Sequence, residues 1–316
     1  MNGTAGREGT QRKVHGAGID LRVTEYGDPA RPSVVLVHGF PDTGATWRPV
    51  ADLLSDDLHV VTYDVRGAGA SDVPRHTEDY SLPLLVEDMA AVFTAVSPDA
   101  PVHLVGHDWG SIQGWESVIS DRLTGRIASY TSISGPPIDH AGLWARKHLT
   151  LKPDDLRVAL GQAARSWYIA LFQLPFLPEV VTRLVRLQRL LSGGAQRKRG
   201  TSLDVASPRS TTGDDFAHGL QLYRANVSQR FRHPTAGHTE TPVQVIVPMN
   251  DRYISPALLE GLETWSSVLW RREVDAGHWI IRTHPEDIAR WVRQVITFVE
   301  SGSEPEDLAR WRVPSL

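Results

Sequence analysis

Four short stretches of this chain are apolar without alternation: SVVLV at 33–37, LHVVTY at 58–63, VHLV at 102–105 and VQVIV at 243–247. A strand with one wet face alternates polar and apolar residues. A strand that does not alternate is buried on both faces, as in a parallel sheet held between two layers of helices. The intervening segments carry the helical period. Leu82, Leu85, Val86, Met89, Phe93 and Val96 recur three and four residues apart behind Ser81, which is placed to cap them. A helix with Trp47, Val50, Leu53 and Leu54 on one side is expected after the first run. Val14 to Tyr26 reads as an opening strand pair closed by the turn Gly27-Asp28-Pro29, and Arg126–Ile133 and Val268–Val274 read as further strands. The closing helix starts at Pro285, with Glu286 and Asp287 at its positive end and a stripe of Ile288, Trp291, Val292, Val295, Phe298 and Val299. Strand–helix alternation of this kind builds an α/β domain.

One segment breaks the series. Residues 138–239 read as helical and loop-rich, with Pro175 and Pro178 as breakers and a polar stretch at 192–214, and the alternation then resumes. That is the pattern of a helical cap inserted into one domain, whose core is 14–137 and 240–300. Residues 1–13, polar and Gly-rich, are expected to be a disordered arm, and 301–316 a tail. The absence of cysteine excludes disulfides, Cys-ligated zinc, iron–sulfur clusters and a thiol nucleophile. A net charge of -4 argues against general nucleic-acid binding. No signal peptide is visible, and apolar runs such as Trp167–Phe172 fall far short of the ~18 residues that span a bilayer. A soluble, cytoplasmic protein is expected.

The chemistry concentrates at Gly106-His107-Asp108-Trp109-Gly110, between a buried strand and a helix. Small residues two before and two after Asp108 permit the sharp turn that lifts a central side chain above a sheet. The adjoining helix N-terminus is expected to keep Asp108 ionised. Asp251, after VQVIV, and His278, after the last strand, follow in the order nucleophile, acid, histidine. All three fall just past strand C-termini, where an open α/β sheet places its site. His38-Gly39-Phe40-Pro41 ends an earlier strand; the Phe40 and Trp109 backbone N–H groups are placed to form an oxyanion hole, and Pro41 suits a cis bond. An Asp nucleophile points to saturated carbon. Serine attacking sp³ carbon would leave an inert ether, whereas a carboxylate leaves an ester that His-activated water can cleave. Epoxide opening and halide displacement both fit, and no Gly-x-Ser-x-Gly is present.

HGFP (38–41), DVRGAGASD (64–72), GHDWGS (106–111), the Asp251 loop and GHW (277–279) resemble the α/β-hydrolase-fold epoxide hydrolases. GHDWGSIQGWE is most similar to the hydrolase portion of actinobacterial members fused to a short-chain dehydrogenase; no dehydrogenase segment is present in these 316 residues. The resemblance implies a mostly parallel eight-stranded sheet with helices on both faces, a hydrophobic epoxide as substrate, and neither cofactor nor metal. It also implies two cap tyrosines donating to the epoxide oxygen, here Tyr168 in SWYIALFQ and Tyr223 in LYRAN. Phe40, Trp109 and Trp279 are then expected to contact substrate. A haloalkane dehalogenase is the rival: Trp109 suits it, but position 40 is Phe and two phenols would have no task. A fluoroacetate dehalogenase shares HGFP but has a basic residue where Trp109 stands. A non-catalytic receptor on the same scaffold would show a broken triad, and this one is intact. Other signals are set aside. GAGASD lacks the third glycine of a dinucleotide loop, and Asp64, Arg66 and Gly67 are read as fixing a turn. His103 and His107 do not share a helical face, so they make no metal pair. The six basic residues from Arg183 to Arg199 are read as a solvated helix face.

Overall fold

The computed structural model describes residues 9–175 and 213–314. Among them one sheet has eight strands: β1 (Thr10–His15), β2 (Asp20–Tyr26), β3 (Ser33–Val37), β4 (His59–Tyr63), β5 (Val102–His107), β6 (Ile127–Ile133), β7 (Val243–Pro248) and β8 (Leu269–Val274). Their order is β1-β2-β4-β3-β5-β6-β7-β8. β1 and β2 are antiparallel; from β4 onward every pairing is parallel. Every residue of β3 and β4 is buried, which explains their unbroken apolar runs. The side-chain period of two splits β3 between layers. Val34 and Leu36 join Trp47, Val50 and Leu54 from around α1 (Arg48–Leu54), whereas Val35 and Val37 join Leu85, Met89 and Phe93 of α2 (Leu82–Val96). α3 (Trp109–Ile119) shares the second layer through Trp115.

Between β6 and β7 lie α4 (Ile138–His148), α5 (Pro153–Phe172) and α6 (Gly213–Arg232). α6 is bound to the segment before α2 by polar contacts. Asp215 accepts from Gly69 N–H at 2.9 Å, and Thr77 Oγ1 donates to Gln221 at 2.7 Å. Buried Asn226 accepts from Leu82 N–H at 2.8 Å and donates to the Tyr80 and Leu222 carbonyls. Ser81 does occupy the N-cap position of α2, but its side chain caps nothing. Asn226 supplies that acceptor from a distant part of the chain. Arg66 forms a buried two-point pair with Asp88, and Asp64 accepts from Gly44 and Ala70 N–H, so these side chains do fix the turn beneath the site.

Both ends depart from expectation. Residues 10–13 of the supposed arm belong to β1, paired residue for residue with β2; of this strand only Val14 is buried, so it carries no apolar run. Beyond α7 (Ile280–Thr283) and α8 (Pro285–Ser301), the supposed tail turns at left-handed Gly302 into α9 (Glu306–Ala309). There Leu308 is buried against Trp270 and Val295, and Val313 N–H donates to Leu269. A few well-placed apolar residues were enough to dock a mostly polar segment. The basic run at 183–199 and most of the polar stretch at 192–214 lie outside the described residues. Among the described residues no helix is long and apolar enough to cross a membrane, and no group of three or more metal-ligating side chains is present.

Candidate active site

β5 runs into α3 through Asp108, whose φ of 54° is a conformation that L-residues rarely adopt. The neighbouring glycines make the turn possible by close approach. A Cβ on Gly106 would lie 2.3 Å from the Gly110 carbonyl oxygen, and one on Gly110 would lie 2.1 Å from that of Val37. On the other side β3 ends in His38-Gly39-Phe40-Pro41, with the Phe40–Pro41 bond cis as expected. Phe40 N–H donates to Asp108 Oδ1 at 2.7 Å.

Parallel strands deliver the other two groups to the same edge. Asp251 follows β7 and His278 follows β8. His278 Nδ1 lies 2.8 Å from Asp251 Oδ2, and Nε2 lies 3.6 Å from Asp108 Oδ2. Asp251 Oδ1 accepts from Tyr253 and Ile254 N–H at 2.8 and 3.1 Å. Burial favours its neutral form, but the His278 charge and these hydrogen bonds outweigh burial and lower its pKa. Burial would neutralise His278, and Asp251 reverses that too, leaving the imidazole pKa above its ordinary value. Asp108 has a raised pKa. Burial, opposed by the His278 charge and the Phe40 and Trp109 N–H groups, pushes it up to about 6. The helix terminus therefore limits the rise without cancelling it, and Asp108 is a carboxylate only above about that pH.

Tyr168 of α5 and Tyr223 of α6 line the same cavity. Their ring centroids are 6.2 Å apart, and Trp109 sits edge-on to Tyr223 at 4.9 Å. Burial raises both phenols far above the ordinary tyrosine range, helped at Tyr168 by Asp108 and at Tyr223 by Tyr168 and then Asp108. Asp108, Trp109, Tyr168 and Tyr223 line one cavity of about 580 Å³, whose other walls are mostly apolar, including Ile138, Trp144, Ile169 and Val227. Phe40 and Trp279 do not line it. Phe40 packs against Phe172, Phe216 and Tyr223, while Trp279 stands beside His278 with the Arg282 guanidinium 4.3 Å over its ring.

Three further residues serve the site without a sequence signal of their own. His107 is buried, and burial lowers its pKa to about 3, so the neutral ring is left at 2.9 Å from the His278 carbonyl oxygen, to which Nε2 donates. Arg282 joins Asp42 and Thr46, tying the His278 loop to the loop after β3. Tyr253 sets its ring edge-on to His278 at 4.8 Å and to Tyr168 at 5.5 Å. Tyr253 and His107 could have been suspected from position alone, two residues after Asp251 and next to Asp108; Arg282 could not.

A family model described as the alpha/beta hydrolase fold matches residues 32–285. The chain belongs to the α/β-hydrolase family. Among relatives of this α/β hydrolase, "Probable oxidoreductase EphD" of Mycobacterium tuberculosis is 33% identical over 305 residues, covering 94% of this chain and 51% of that protein. The chain thus spans about half the length of the curated relatives it first matches. Epoxide hydrolase 3 of Mus musculus is 28% identical over 302 residues, covering 88% of this chain and 74% of its own. A crystal structure of a Bacillus megaterium epoxide hydrolase aligns with a TM-score of 0.69 at 23% identity, over 90% of this chain and all of that one. Likeness at that identity establishes the shared fold.

Proposed function

We propose that this α/β hydrolase converts a hydrophobic epoxide to a vicinal diol through an ester of Asp108, with residues 138–239 acting as the cap. The observation that carries this reading is a carboxylate sharing one mostly apolar cavity with two phenols, Tyr223 buried and Tyr168 half-buried. Asp108 Oδ2 attacks a ring carbon, the carbon–oxygen bond breaks, and Tyr168 or Tyr223 protonates the departing oxygen. A carboxylate–phenol pair across a cavity suits this step because ring opening produces an alkoxide, which departs only when it is stabilised. His278 then takes a proton from water, and the hydroxide attacks the ester carbonyl. Asp108 Oδ1, already bonded to Phe40 N–H, becomes the oxyanion, with Trp109 N–H as second donor. Collapse releases the diol as His278 returns its proton to the leaving oxygen. The regenerated Asp108 acid loses its proton, which replaces the one the phenol gave. Halide displacement would use the same nucleophile and leave both phenols idle.

One turnover in H₂¹⁸O, with enzyme in excess, tests the ester. The first diol should carry no label, and the peptide containing Asp108 should carry it. Label in the diol with Asp108 clean would mean direct attack by water. Faster consumption of chloroalkanes than of any epoxide would favour a dehalogenase. The pH dependence follows from the same groups. Ester formation needs ionised Asp108, so its rate should fall tenfold per unit below about pH 6. The raised phenols remain donors beyond the ordinary tyrosine range, so formation should show no alkaline limb at pH 9–10. Stopped-flow ester formation at constant ionic strength checks both limbs; loss of rate near pH 9 would count against the phenols.

A further inference from the structure

Gln162 lies on α5, four residues before Ser166 and six before Tyr168, and is 6% exposed. Its Nε2 donates to Ser166 Oγ and to the Tyr253 carbonyl oxygen, both at 2.8 Å. Its Oε1 accepts from Ser255 N–H at 2.9 Å. The loop it grips is the loop whose Tyr253 and Ile254 N–H groups hold Asp251 Oδ1. One buried side chain therefore connects the helix that presents a phenol to the loop that presents the histidine's partner.

The residue type suits the task. A carbonyl only accepts and an amide N–H only donates, so Tyr253 and Ser255 together fix which end of the Gln162 amide faces which group. A carboxylate at this position would set lone pairs against the Tyr253 carbonyl and add a charge beside Asp251. An aliphatic side chain would leave a buried N–H and a buried C=O unpaired. The Tyr253 ring, edge-on to both His278 and Tyr168, transmits any shift of the loop to both halves of the site. The other phenol is tied down differently: Asn226 anchors α6 to Tyr80 and Leu82, away from the acid loop.

We propose that Gln162 is a positioning residue that couples the two half-reactions, setting Tyr168 against the nucleophile for ring opening and steadying Asp251, and through it His278, for ester hydrolysis. This rests on the epoxide-hydrolase reading above. Misplacing a reacting group by about 1 Å costs on the order of 10²-fold, so a loosened strut should be visible in both steps.

The test separates those steps. With a reactive epoxide in single turnover, acid-quenched samples give the rise and decay of the ester by intact mass. Gln162→Met should slow both formation and decay by at least about tenfold, within the range expected of misplacement. Tyr223→Phe, which leaves the acid loop untouched, should slow formation only. Gln162→Met should also move the pH midpoint of ester decay downward, because Asp251 is what holds His278 above its ordinary pKa. If Gln162→Met does not fold, Gln162→Glu, which keeps the acceptor for Ser255 N–H, takes its place: both steps should again slow, but its added negative charge should move the decay midpoint upward. Both rates within twofold of the parent, or slowed formation with an unchanged decay rate and midpoint, would overturn the coupling. A parent protein that forms neither ester nor diol would instead overturn the hydrolase reading on which the coupling stands.

Discussion

His278→Gln is expected to turn the protein into one that takes up a single epoxide and stops. The side chain lies 3.6 Å from Asp108 Oδ2 through Nε2 and is held at 2.8 Å from Asp251 through Nδ1. That geometry serves water attacking the ester carbonyl; for attack by Asp108 on a ring carbon it supplies only charge that helps keep Asp108 ionised, so alkylation is followed well above pH 6. Removing a general base costs roughly 10²–10⁴-fold in the step it serves. Ester should therefore accumulate, and the intact protein should gain the mass of one epoxide on the peptide containing Asp108. Glutamine can still accept or donate towards Asp251, which limits disturbance of the loop. Turnover at the parent rate, or a variant that neither alkylates nor turns over while remaining folded, would remove His278 from this role.

Asp108, Asp251 and His278 were legible as a candidate site because each sits in a short loop at the end of a strand whose apolar run announces it. β3, with all five residues buried, was bounded correctly for the same reason. Signals failed where the partner is distant in sequence. Ser81 has the residue type and place of a cap, yet Asn226, 144 residues away, accepts from Leu82 N–H. Residues 10–13 and 302–314 lack apolar runs, and their order comes from edges already built by β2 and β8. Gln162 carries no motif, because its use depends on two backbone groups in a loop about 90 residues further on. The raised pKa of Asp108 was not legible for a related reason: the helix terminus is a local feature, whereas burial is a property of the assembled fold. The two tyrosines stood on the family resemblance, since a single phenol on an apolar helix is as consistent with packing as with chemistry.

The double variant Tyr168→Phe/Tyr223→Phe is expected to show the largest loss in ester formation. Losing one donor to a developing oxyanion costs on the order of 10²–10³-fold. With either phenol left, that phenol can take part of the charge, so the two single losses should sum in free energy to less than the loss in the double variant. With both gone, the cavity keeps its shape, because Phe preserves the edge-on contacts of Tyr223 with Trp109 and of Tyr168 with Phe172. The departing alkoxide then has no buried acid to meet it. Loss of about 10⁴-fold or more is therefore expected in ester formation, with epoxide binding nearly unchanged. Decay of any ester that does form should proceed near the parent rate, since His278, Asp251 and the Phe40 N–H are untouched. Rapid mixing with a chromogenic epoxide measures formation, and equilibrium protection by a non-reactive diol measures binding. Formation at the parent rate in the double variant would make both tyrosines packing residues and would reopen halide displacement, the one reaction of this site that needs no acid.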